Sequence, residues 1–538
     1  MSLLDVTAQR VKRVALLAAT SGLALALATG AAEAQTKPVY MQKYSDARNF
    51  DPHQVITRSV SEILAFITDT LVTIDDDLAT IKDGLAKEWK VSPDGLTYTF
   101  ALKDDLKFCD GKAITAATIE ANFKRWMDPK TKSSSFSIMG PLTSVTATDA
   151  KTVTFKLSQP YVDFLASIAS PYAGIVDTEE AAKLGDQFAV TALNGSGPYC
   201  FTSWKPREEI FLKPNMNYSW GSGPYENKGP VKSGGLVIKI MPEENSRVAA
   251  LLTGQSDVTY YLPWTSMADI RKNPNFAVVQ PRAFGYLAYL GTKVNRPLME
   301  PAVRKAINLA IDRGALVDEL YAGEADEATS VISPNFDGAY APPTKEGPRY
   351  DVAMAKKVLD DAGWKAGSDG VRVKNGVRLA PTMIGHIPWR VRLEAIQGML
   401  RDVGMDVKLE ITDTPIAVSR IMTKDDFDIY GWYAGYTTTG EALHKYFLPS
   451  EPYSAYRAVP DEAKELAALI TAGGRELDRD KRNALYKKAQ ELISQNDYWV
   501  PLVHERMVIV YNKTKIGGVK PHGLLAGGLY KGLDLTPR

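Results

Sequence analysis

Cysteine is almost missing: Cys109 and Cys200 are the only two in 538 residues. With five scattered histidines, they leave no metal-finger spacing. An exported chain can oxidise two thiols to one disulfide, but sequence alone does not give their distance. We read them as two separate small apolar residues in strands. An excess of one charge is also lacking. The formal net charge is +1, and three basic against two acidic residues in the first 34 positions bring the rest close to neutrality. A nucleic-acid partner would need a basic face, so none is expected. No second long apolar run follows residue 30, so no transmembrane helix is expected.

Catalytic signatures are missing as well. There is no G-x-G-x-x-G and no phosphate loop. Gly195-Ser196-Gly197 is not G-x-S-x-G, and His504-Glu505 lacks the second histidine of H-E-x-x-H. An exported hydrolase, the rival class, needs a nucleophile, a base and an orienting group. No such set is visible. We expect no catalytic residue, no cofactor and no bound metal.

What is present begins with a leader. Arg10, Lys12 and Arg13 precede an uncharged apolar run, Val14 to Gly30, and Ala32-Glu33-Ala34 supplies small residues where a signal peptidase cuts. The pattern predicts a signal peptide over residues 1–34 and a mature chain starting at Gln35. The run is shorter than the ~20 residues that span a bilayer. A soluble, exported protein follows.

The rest alternates strand-like and helix-like stretches. Leu96–Leu102 and Lys151–Leu157 alternate polar and apolar residues. Gly235–Ile240 and Val407–Ile411 read as further strands. Thr115–Met127 has Ile119, Phe123 and Trp126 on one helical face. Ala302–Leu320 reads as one helix, Arg390–Val403 as another ended by Gly404, and Lys464–Leu492 as two broken near Asp478. Asp94-Gly95 reads as a hairpin turn. Asp312-Arg313 reads as a local ion pair near a helix end. Lys213–Pro230 and Ser333–Arg349 read as surface excursions. The fold class is α/β, with sheets covered by helices.

Several segments in order carry a resemblance. They are Asn49-Phe50-Asp51-Pro52, Asp83 to Trp89 with Ser92 to Phe100, and Leu106-Lys107-Phe108-Cys109-Asp110-Gly111-Lys112. Asn194 to Tyr199, Pro214-Asn215 with Asn217 to Trp220, Leu251 to Val258, and Val303 to Asn308 with Ile311-Asp312-Arg313 complete the set. Together the chain resembles the large solute-binding proteins of peptide- and nickel-type ABC importers, extracytoplasmic family 5. That family usually has histidine at the Cys109 position. The resemblance implies a periplasmic protein of two lobes and a hinge, closing on a solute that is passed to an inner-membrane ABC permease. It implies a two-lobed type II binding protein of the large class. Residues 35–80, 190–285 and 505–538 form the first lobe, 81–189 its extra subdomain, and 286–504 the second lobe. Hinge strands fall near Pro281–Tyr286 and Val503–Val510. A monomer is expected.

Such a cleft wants flat aromatic walls and a few fixed polar groups. The segment Tyr430 to Glu441 has that character, as a glycine- and threonine-rich loop after a strand at Phe427–Tyr430. Trp432, Tyr433 and Tyr436 are candidate walls, Thr437, Thr438 and Thr439 candidate hydroxyls, and Glu441 a candidate carboxylate. Tyr286, Thr57, Arg58, Trp389 and Arg390 are further candidates, with Arg392, Trp264 and Tyr289 as lesser ones. Dipeptide binders of the family carry an aspartate in this loop, and this chain does not. We therefore expect a planar or sugar-like solute with hydroxyl or amide groups, or a longer or modified peptide, and Trp432→Ala to cost more affinity than Glu441→Gln. A nickel–chelate held by His444, or an opine-like solute, is the alternative.

Overall fold

The strands form two large mixed sheets, with alternating burial in strands such as Leu236–Ile240 and near-continuous burial in the central Gly285–Thr292 and Trp499–Glu505. The first has seven strands, in the order Phe276–Val279, Ile509–Asn512, Val258–Tyr260, Val39–Lys43, Leu236–Ile240, Glu209–Pro214 and Tyr199–Lys205. The second has six: Ala325–Glu327, Trp499–Glu505, Gly285–Thr292, Ile429–Tyr436, Thr382–His386 and Lys408–Thr412. This computed structural model describes residues 36–538 apart from 56, 343–348, 425, 452–453 and 525–528. The predicted leader and part of the Ser333–Arg349 excursion lie outside the described residues. Among these residues no helix is long and apolar enough to cross a membrane.

The second sheet is covered on one face by the helices Pro301–Ala310 and Arg390–Asp402. Val303, Ile307, Leu393, Ile396 and Leu400 pack there on Ala288, Leu290 and Val503. Each such buried side chain contributes about 1.5–3 kcal/mol. A separate four-stranded antiparallel sheet runs Ala86–Val91, Thr97–Leu102, Thr152–Leu157, Leu142–Ala147. The predicted helix lies on it as Ala116–Met127, with Phe123 edge-on to Phe155 at 4.7 Å. Asp94 accepts from the Leu96 amide at 3.0 Å, and Gly95 takes φ +69°, which closes the predicted hairpin. Asp478 caps the helix Arg479–Asn496.

The chain passes between the two large sheets at 280–284 and again at 506–508. Its C-terminal segment is held by a buried ion pair between Lys531 and Asp69, whose second oxygen accepts from the Trp220 indole at 2.8 Å.

Four expectations need correction. Cys109 and Cys200 are joined in a disulfide, with Cα atoms 5.8 Å apart. It ties the turn at 108–111 to the edge strand Tyr199–Lys205, so only Cys200 lies in a strand. The long helix at 302–320 is two helices, Pro301–Ala310 and Arg313–Tyr321. Asp312 makes the break by accepting from the Ala315 amide at 2.9 Å as an N-cap. Asp312 and Arg313 do not form the expected local ion pair: the Arg313 guanidinium donates to the Pro501 carbonyl at 2.7 Å and to Asn308 Oδ1 at 2.6 Å. Finally, 431–436 is not loop. Ile429–Tyr436 pairs along its whole length with Gly285–Thr292. Gly431 permits close packing rather than a turn, since a Cβ there would stand 2.6 Å from the Trp389 ring.

Candidate functional site

Strand pairing sets one wall of a cavity of about 560 Å³. The Gly285 end of one central strand lies beside the Tyr436 end of its neighbour. Tyr286 and Gly435 line the cavity there. The chain then turns through Thr437 and Thr438 into the helix Thr439–Phe447. Thr438 caps this helix by accepting from the Glu441 amide at 2.9 Å. Glu441 reaches back to accept from the Thr437 amide at 2.8 Å. The pattern T-x-x-E is a helix-start signature, and it was present in the sequence as Thr438 to Glu441. The helix presents Glu441, His444 and Lys445 to the cavity.

The opposite wall comes from residues that sequence reasoning missed: Tyr161, Asp163, Ser167 and Tyr172. Asp163 Oδ1 accepts from the Thr438 hydroxyl at 2.8 Å. Burial, together with the negative charge of Glu441, pushes its carboxyl up to about 6. Burial raises the Tyr161 and Tyr172 phenols too. The one local signal was an aspartate before the apolar run Phe164–Ala169, which marks a helix start and says nothing of a cavity.

The candidate residues divide. Tyr286, Tyr436, Thr437, Thr438 and Glu441 line the cavity together. Tyr436 is largely core, its hydroxyl accepting from the Ser333 amide at 2.8 Å. Thr439 is buried, and its hydroxyl donates to the Asp337 carbonyl at 2.7 Å. Tyr433 stands behind Tyr286, stacked at 4.7 Å, and does not border the cavity. Trp432 packs beside His386 at 4.6 Å. Trp389 is sealed in the core beneath Gly431. Arg392 lies over it at 4.4 Å and pairs with Glu505 at 3.4 Å. Arg390 is on the surface, 3.6 Å from Glu394. Thr57 is exposed before the helix Arg58–Ile67, and the Arg58 side chain lies outside the described residues. Tyr289 is buried against Trp499 at 3.4 Å. Trp264 lines a separate cavity of about 40 Å³ under the two crossovers.

Asp163, Glu441 and Glu451 face the same space as Lys445, so the cavity is not the neutral hydroxyl-lined site expected. His444 faces it too, its imidazole held low by burial. Among the described residues no group of three or more His, Cys, Asp or Glu could hold a metal ion.

Two large sheets, two crossovers and a large cavity between distant segments define a two-lobed solute-binding protein. Residues 80–454 match the bacterial extracellular solute-binding proteins, family 5. The chain belongs to that family, the solute-capturing components of ABC importers. It is 28% identical over 441 residues to the glutathione-binding protein GsiB of Escherichia coli O1:K1 / APEC, covering 80% of this chain and 82% of that one. In fold it is similar to NikA from Brucella suis in complex with Fe(III)-EDTA, with TM-score 0.82, 23% identity, and 93% of this chain and 100% of that one covered. It is similar also to DppA from Helicobacter pylori in complex with the peptide STSA, with TM-score 0.77, 23% identity, and 94% and 99% covered.

Proposed function

We propose that this protein captures a small peptide-like solute bearing a free amine, in the periplasm and as a monomer, and delivers it to an inner-membrane ABC permease. The observation that carries this is the cavity itself: carboxylates from two distant segments, Asp163 and Glu441, face one space. An ammonium group placed there gains charge-assisted hydrogen bonds. The volume is within the range of small-molecule sites, about 300–1,000 Å³. The name of GsiB adds support, since glutathione is a peptide with a free amine. We take 280–284 and 506–508 as the hinge, with residues 35–80, 190–285 and 505–538 on one side and 286–504 on the other. Residues 81–189 are the added subdomain that supplies the outer wall.

The test is calorimetry with glutathione and a neutral tripeptide, each beside its N-acetylated form. The free-amine form is expected to bind at least tenfold more tightly. Equal affinity for the acetylated forms would contradict the amine assignment.

A further inference from the structure

Residues 159–163 close the cavity from the side opposite the second sheet, and their contacts reach two segments of the other half, 438–440 and 474–475. The Arg475 guanidinium donates to Gln159 Oε1 at 2.6 Å. The Val162 amide donates to the Gly474 carbonyl at 3.0 Å. The Thr438 hydroxyl donates to Asp163 Oδ1 at 2.8 Å. Gly440 comes so close to the same carboxylate that a Cβ would stand 2.4 Å from Asp163 Oδ2. Beside this seam Leu477 covers Gly95, 3.1 Å from where its Cβ would be. None of these contacts lies at 280–284 or 506–508. A rotation about those crossovers that opened the cavity would break them together.

Asp163 has a particular place in the seam. Its carboxylate lies against the N-terminal end of the Thr439–Phe447 helix, beside Thr438 and Gly440. Thr438 accepts from the Glu441 amide while donating its own proton to Asp163. Through Thr438, then, Asp163 fixes the start of the helix that carries Glu441, His444 and Lys445 into the cavity.

We propose that the Gln159–Asp163 segment is a clasp that holds the two halves closed over the cavity, with Asp163 as the positioning residue that grips the solute-lining helix. It rests on the reading above in taking this cavity as the solute site and 280–284 and 506–508 as the hinge between the two halves.

The clasp has a pH sense. Tyr161 on its own segment, Glu441 on the helix it grips, and Arg482 and Tyr486 on the helix Arg479–Asn496 face Asp163. Burial, with the charge of Glu441, outweighs the Thr438 hydrogen bond and the pull of Arg482, which both favour the carboxylate, and raises the carboxyl from 3.8 to about 6 in the closed form. Opening hydrates the carboxylate and returns it towards its ordinary value. The closed form therefore holds the proton more tightly. Closure is favoured most below about 4, weakens as pH rises through about 6, and is level above.

The experiment is pulsed electron paramagnetic resonance on the mature, disulfide-bonded protein without solute, at pH 5 and 7.5. Spin labels are placed at the exposed positions 87 and 488 through Lys87→Cys and Lys488→Cys. The parent is expected to show a short-distance population that shrinks at the higher pH. Asp163→Ala and Thr438→Val should each reduce that population at least twofold. Asp163→Asn, which mimics the neutral acid, should keep it and abolish its pH dependence. Thermal melts establish that each variant is folded, and Thr438→Val removes a single hydroxyl should Asp163→Ala fail to fold. A parent-like distance distribution in Asp163→Ala and Thr438→Val, or parent-like pH dependence in Asp163→Asn, would overturn the clasp. Because no solute is present, a parent that closes as expected yet binds no amine solute would overturn only the solute assignment.

Discussion

The ring of Tyr433 stacks on the ring of Tyr286 with centroids 4.7 Å and planes 25° apart. Tyr286 borders the cavity and Tyr433 backs it. Aromatic pairs of this kind contribute about 0.5–1.5 kcal/mol beyond their burial, so Tyr286 presents a ring whose position is fixed from behind. Tyr286→Ala is expected to weaken solute binding about tenfold by calorimetry, and Trp432→Ala less, because Trp432 packs beside His386 instead. A larger loss from Trp432→Ala than from Tyr286→Ala would contradict this assignment of the wall.

Glu441 caps its own helix and faces the cavity. Glutamine keeps the capping geometry and removes the charge. Glu441→Gln should therefore leave the melting temperature within a few degrees of the parent while weakening amine-bearing solutes about tenfold. Unchanged affinity with unchanged stability would show that Glu441 is a cap alone.

The Cys109–Cys200 disulfide spans a sequence separation of 91. In the chain-entropy account a loop of that length is worth roughly 4–5 kcal/mol. Chemical denaturation of the Cys109→Ser, Cys200→Ser double variant should show a loss of that order. An unchanged unfolding midpoint would contradict it.

Lys531 and Asp69 form a buried pair, each about 1% exposed. Removing one partner strands the other charge, at a cost of about 3–5 kcal/mol. Lys531→Met should lower stability by that amount, and Lys531→Met with Asp69→Leu should recover part of it. An additive double variant would show that the two charges do not act as a pair.

Acid should destabilise the fold through its histidines. Burial lowers His53 to about 3, and His504 and His522 to about 4, from 6.5. Lowered values mean that these imidazoles contribute stability above pH 6.5, which is lost as pH falls towards 4. Each proton taken up only on unfolding costs about 1.4 kcal/mol per pH unit, and three together roughly 4. Urea midpoints should fall between pH 7 and 5. A flat profile over that range would contradict the buried neutral state of these rings.

Much of the fold was legible because it is local. The helical face of Ile119, Phe123 and Trp126, the Asp94-Gly95 turn and the break at Asp478 are each set by residues within about two turns of chain. Local features misled where distant packing decided. Gly431 reads as a breaker, whereas it makes room for the Trp389 ring packed against it. Asp312 looked like half of an ion pair, whereas the Arg313 guanidinium is consumed by a carbonyl 188 residues away. The site split in the same way. Tyr286, Thr438 and Glu441, which border the cavity, were named from the resemblance and the run of polar residues. Asp163 was not, because it lies 275 residues from Thr438 and only the closure of the fold brings them together.

In the proposed function a small amine-bearing solute occupies the cavity between Tyr286, Glu441 and Asp163. Native mass spectrometry of the protein purified without refolding, with amine-reactive labelling of whatever is released, tests this. A small adduct that carries a primary amine and is largely lost in Glu441→Gln is expected. An adduct without an amine, or one retained at parent occupancy in Glu441→Gln, would contradict it.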